Sequence, residues 1–121
     1  MQIQQIRNAT MRLTYSDMVL LTDPYLAEKH TLPSYTGRSP NPMVALPFPS
    51  REVIAGIDSV VISHLHSDHF DPAAAQQLPS DLTIFCQPWD DAALIEKRFR
   101  NVNPIEANLT WQGIKITNHY Q

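Results

Sequence analysis

Cys86 is the single cysteine among 121 residues, so no intrachain disulfide can form, and a reducing compartment suits the chain. No apolar run reaches the roughly 18 residues that a membrane-spanning helix needs. The opening Met1-Gln2-Ile3-Gln4-Gln5-Ile6 lacks the basic segment and apolar stretch of a secretory leader. The expected location is therefore cytoplasmic, with no membrane partner. Basic runs are also missing: Lys and Arg together number 9 against 12 Asp and Glu, for a formal net charge of −3. The electrostatic footprint of a nucleic-acid binder is absent, and no nucleic-acid partner is expected.

What the chain does have is enough apolar material for a core. It is 43% hydrophobic and 17% charged, which excludes a disordered chain and fits one packed domain over residues 1–121. Ile3 and Ile6 fall in one strand-like stretch, and Met11, Leu13 and Tyr15 alternate at period two. Ser16-Asp17 predicts a two-residue turn into Met18-Val19-Leu20-Leu21-Thr22, a run typical of a strand buried on both faces. Asp23-Pro24 stops that strand. Six of the ten prolines then crowd into residues 24–50, which predicts a long irregular loop, either a surface excursion or a flap beside a pocket.

Regular structure is expected to resume with a short helical turn from Ser50 to near Gly56, then a strand through Val60-Val61-Ile62. Asp71-Pro72 reads as an N-cap with proline at the first helical position, ahead of Ala73 to Leu78. A strand over 82–86 follows. Asp90 or Asp91 can cap a helix running to Phe99, with Leu94, Ile95 and Phe99 as its apolar stripe. Two further short strands are expected near 101–106 and 111–117. This order predicts an α+β fold with a mixed sheet and helices on one face.

The strongest chemical signal is His64-Leu65-His66-Ser67-Asp68-His69. Three imidazoles and a carboxylate fall within six residues. In an extended segment, side chains two apart point the same way, so His64 and His66 can converge on one ion. The turn into the following helix can bring Asp68 and His69 toward the same cavity. Imidazole and carboxylate without thiolate suit zinc, manganese or iron in a working site rather than a structural zinc knot. The cluster also sits just past a buried strand and before a helix, where open sheets place their sites. The competing explanation is a polar turn carrying surface histidines.

The string Ser63-His64-Leu65-His66-Ser67-Asp68-His69 resembles the HxHxDH signature of the metallo-β-lactamase superfamily. Leu20-Leu21-Thr22-Asp23-Pro24, the proline-rich loop and Trp111-Gln112-Gly113-Ile114-Lys115-Ile116-Thr117 look like the branch of ascorbate-6-phosphate lactonase-like proteins. The resemblance implies half of a metallo-β-lactamase-type αββα sandwich, since the family's chains are usually about twice this length. It implies up to two metal ions, zinc foremost. His64 and His66 would hold the first, and Asp68 and His69 the second. In single-metal members Asp68 would instead orient or deprotonate the attacking water.

His119 lies near the family's third histidine for the first metal; it is either that ligand or an exposed histidine near the chain's end. Asp23 is either a partner of a metal-bound histidine or the cap of an Asp-Pro turn. His30 reads as solvated and Cys86 as a small core residue. Trp89 and Trp111 read as packing residues, and Arg38 in the loop could meet an anionic substrate. The implied activity is hydrolysis of a small-molecule lactone, ester, amide or phosphodiester by metal-activated water. The alternative is a catalytically silent half-fold that binds metal weakly or serves association. A half sandwich exposes one apolar sheet face, so a homodimer is expected to cover it.

Overall fold

The computed structural model describes residues 1–7, 9–27, 45–63, 65 and 70–118. Among these residues are eight strands, one more than the sequence predicts, and three short helices. The first three strands, β1 (Gln2–Arg7), β2 (Thr10–Tyr15) and β3 (Met18–Thr22), form an antiparallel meander. Ser16 and Asp17 make the β2–β3 turn with φ of 51° and 64°, both in the left-handed region that tight hairpins require. A bulge between Gln5 and Arg7 lets Ile6 and Arg7 turn inward at the end of β1.

From β3 onward the sheet becomes parallel, through β4 (Ser59–Val61), β5 (Thr83–Cys86) and β6 (Val102–Pro104). The six strands lie in sequence order. The connections carry α1 (Ser50–Val53), α2 (Pro72–Gln77) and α3 (Asp91–Glu96), and all three helices pack on one face. Leu21, Val60, Ile62, Ile84 and Cys86 point to that face and meet Val53, Ala74 and Leu94 of the helices. The residues between them, Leu20, Val61 and Phe85, point to the other face, as strand alternation demands.

Two arginines close helix ends. Arg12 of β2 donates to the carbonyls of Val53 and Ala55 at 2.6 and 3.0 Å, which ties α1 to the sheet. Arg98 donates to the carbonyls of Ala75, Gln76 and Leu78 at 2.7–2.9 Å, meeting acceptors that the end of α2 cannot satisfy internally. Arg98 itself sits at φ 85°. This left-handed residue ends α3 before Phe99, so the helix is shorter than the apolar stripe predicts.

The strand expected over 111–117 is two strands. β7 (Asn108–Trp111) and β8 (Ile114–Thr117) form a hairpin whose turn, Gln112-Gly113, has φ of 51° and 79°. The hairpin lies over the sheet face opposite the helices, where Trp111 meets Phe85 edge-on at 5.5 Å. Part of the face expected to be open is therefore covered. Its outer part is not: Met1, Ile3 and Tyr15 remain exposed. Within the loop expected over 24–50, residues 24–27 and 45–49 are irregular, and residues 28–44, including His30 and Arg38, lie outside the described residues.

Candidate metal centre

The HxHxDH segment leaves the sheet at the C-terminal end of β4. There the backbone is held from both sides: the Ile62 amide donates to the Phe85 carbonyl, and the Asp23 amide donates to the Val61 carbonyl, each at 2.9 Å. Ser63, the last residue before the motif, is held by one carboxylate. Its amide donates to Asp23 Oδ1 at 2.6 Å and its hydroxyl to Asp23 Oδ2 at 2.8 Å. Asp23 is buried and takes φ 39°, a conformation that Asp tolerates better than most residues. Through Ser63 it fixes the point where the chain enters the motif.

The exit from the motif is fixed as firmly. Phe70 is buried edge-on against Phe99, with ring centroids 5.9 Å apart. Asp71 is the N-cap of α2, and Pro72 takes the first helical position, as the sequence predicts. One Asp71 oxygen accepts from the Ala74 amide at 2.8 Å. The other accepts from the Ala27 amide at 2.6 Å, a contact across 44 residues that no local pattern announces. Leu65, inside the motif, packs against the helix-side core.

A third anchor stands beside these two. The Asn118 side chain donates to Gln87 Oε1 and to the Ile105 carbonyl, both at 2.7 Å, and its amide donates to Ala107 at 2.8 Å. The residue preceding His119 is thereby tied to the ends of β5 and β6. A cavity of about 200 Å³ lies between Ser63, Gln87, Ile105 and Asn118, at the C-terminal edge of the parallel strands.

Of the candidate site residues, Asp23 is described, and its carboxylate holds Ser63. His64, His66, Asp68, His69 and His119 lie outside the described residues. The two cap carboxylates, Asp23 and Asp71, bracket the motif in sequence, and Asn118 holds the chain one residue before His119. Cys86 is buried, and burial, aided by the charges of Asp91 and Asp90, pushes its thiol up to about 12. The thiol is thus protonated at neutral pH and is no nucleophile. Trp111 packs on Phe85, whereas Trp89 is 59% exposed. Among the described residues no helix is long and apolar enough to cross a membrane.

Residues 2–120 match the family described as the beta-lactamase superfamily domain. The chain belongs to that superfamily. It is 38% identical to the UPF0173 protein YddR of Bacillus subtilis over 121 residues, covering 96% of this chain and 48% of that protein. It superposes with a TM-score of 0.90 on a crystal structure described as a possible metal-dependent hydrolase from Veillonella parvula, at 35% identity, covering 94% of this chain and 45% of the other. A second crystal structure, an isothiocyanate hydrolase from Delia radicum gut bacteria, gives a TM-score of 0.84 at 40% identity, covering 93% and 44%. The fold is thus α+β and of the metallo-β-lactamase type, and the chain spans about half the length of the superfamily relatives it matches.

Proposed function

We propose that this chain carries the metal-binding half of a metal-dependent hydrolase acting on a small electrophilic substrate. What supports this is the HxHxDH sequence together with the two residues that flank it: Ser63 is held by the buried Asp23 and Asp71 by the Ala27 amide, at the C-terminal ends of the sheet's parallel strands. The donor set fits divalent zinc, with manganese or iron as alternatives: imidazoles and a carboxylate, and no thiolate, since Cys86 is a protonated core residue. His64 and His66 would hold one ion, with His119 as a further ligand, and Asp68 and His69 a second. Such ions acidify water and polarise the oxygen or sulfur of the group under attack.

The protein's own residues supply the rest. Where a single ion is bound, Asp68 would instead orient or deprotonate the attacking water. Asp23 keeps Ser63, and so the start of the motif, at the end of β4. The substrate class extends from lactones, esters, amides and phosphodiesters to isothiocyanates, because one superfamily neighbour at 40% identity is an isothiocyanate hydrolase. The second reading is a catalytically silent half-fold that binds metal weakly or serves association. A panel of one substrate from each class, assayed with added zinc or manganese, separates the two. Metal-dependent turnover that disappears in His66→Ala supports the hydrolase. Metal binding with no turnover across the panel supports the silent half-fold.

A further inference from the structure

Residues 23–27 have no regular secondary structure, yet all five are buried. This short strap reaches both ends of the motif: Asp23 holds Ser63 before it, and the Ala27 amide holds Asp71 after it. A buried irregular segment needs partners for its backbone polar groups. Beyond Val61 and Asp71, they come from two side chains near the β1–β2 turn. Thr10, fully buried, donates its hydroxyl proton to the Asp23 carbonyl at 2.6 Å and accepts from the Tyr25 amide at 3.0 Å. Arg7, 4% exposed, donates to the carbonyls of Tyr25 and Ala27 at 2.5 and 2.7 Å. Its guanidinium also lies over the Tyr25 ring, 4.7 Å from the centroid.

Burying an arginine is costly unless its donors are used. Burial lowers the Arg7 pKa, and the nearby Tyr25 and Asp71 act in the opposite sense. One of the Arg7 nitrogens, Nη2, makes both bonds to the strap, one bond away from the carboxylate that follows the motif. The hydrogen bonds run from Arg7 to the Ala27 carbonyl and from the Ala27 amide to Asp71. A parallel set runs from the Thr10 hydroxyl to the Asp23 carbonyl and from the Ser63 amide and hydroxyl to the Asp23 carboxylate.

We propose that Arg7 and Thr10 are positioning residues for the metal-binding segment 64–69, acting through the strap 23–27 on its two ends. This rests on reading that segment as the metal site. The test is hydrogen–deuterium exchange of peptides covering 63–71 in the metal-free protein, together with zinc affinity by competition with a chelating dye. Thr10→Val removes both hydroxyl bonds at nearly constant shape, and Arg7→Lys draws back the one nitrogen, Nη2, that donates to both carbonyls. Each is expected to speed exchange in 63–71 by at least about ten-fold, since one lost buried hydrogen bond has roughly that effect and each variant affects two. Each is also expected to weaken zinc binding about ten- to a hundred-fold, as loss of an outer partner typically does.

Thr10→Ser, which keeps the hydroxyl, is expected to restore both properties. Leu20→Ala, a core truncation on the opposite sheet face, controls for general loss of stability. Exchange in 63–71 that rises no more in Thr10→Val and Arg7→Lys than in Leu20→Ala overturns the proposal, and so does faster exchange with unchanged zinc affinity. A wild-type protein that binds no zinc would defeat the metal reading, while the exchange comparison would still decide whether the strap braces the segment.

Discussion

Replacing Asp23 tests the entrance to the motif. Asp23→Ala removes both oxygens that hold Ser63. A hydrogen bond to a charged group contributes roughly 1.5–3 kcal/mol when buried. Ser63 is exposed, so water recovers part of this, and about 1 kcal/mol per bond is the reasonable share. Alanine at φ 39° adds about 1 kcal/mol of backbone strain that aspartate largely avoids. The sum is about 3 kcal/mol. Asp23→Asn keeps one oxygen for the Ser63 amide and tolerates the left-handed backbone, so about 1 kcal/mol is expected. Urea unfolding of the two variants and wild type, with a shared slope, measures both losses. An alanine variant that loses less than about 1 kcal/mol refutes the reasoning. If asparagine costs as much as alanine, the charge of Asp23, rather than its hydrogen bonds, holds the site.

Three further outcomes follow from the structure. Arg98→Ala and Arg98→Gly both lose the carbonyl contacts at the end of α2, but only glycine relieves φ 85°; thermal or urea unfolding should find the glycine variant more stable by about 1 kcal/mol. Equal stabilities would contradict the left-handed assignment. Cys86 keeps its proton in the folded chain up to about pH 12, whereas the unfolded thiol ionises near 9.0; stability should therefore fall as pH rises through that window. Urea titrations from pH 8 to 11 should show a steeper decline for wild type than for Cys86→Ala, and parallel slopes would speak against it.

The third concerns the outer sheet face, where Met1, Ile3 and Tyr15 are exposed beside a cavity of about 470 Å³ lined by Leu13, Leu20 and Val61. We propose that a second copy covers it, since a two-fold axis pairs an apolar face with itself. Sedimentation velocity should find a dimer that Ile3→Glu dissociates; a wild-type monomer at high concentration would defeat the idea.

Much of the frame was legible in the sequence because it is local. The β3 run, the Ser16-Asp17 turn and the Asp71-Pro72 cap each depend on residues within a few positions of one another, and each is where the pattern puts it. The Gln112-Gly113 turn escaped because the apolar residues on either side of it read as one strand; the glycine was the available signal. Arg98 at the end of α3 gave no warning, since its left-handed backbone is supported by carbonyls some 20 residues away. The strap is harder still. Arg7 and Thr10 look like ordinary strand residues, and their importance arises only when the fold brings β1 and β2 against residues 23–27. Asp23 was legible as an acidic residue at a strand end, whereas its hold on Ser63, 40 residues on, was not.

The most direct measurement is the metal content of the protein purified without chelators, followed by zinc titration of wild type and His66→Ala. The metal-site reading predicts near-stoichiometric metal in the wild type and its loss in the variant. Metal at background in the wild type, or equal amounts in both proteins, would contradict it.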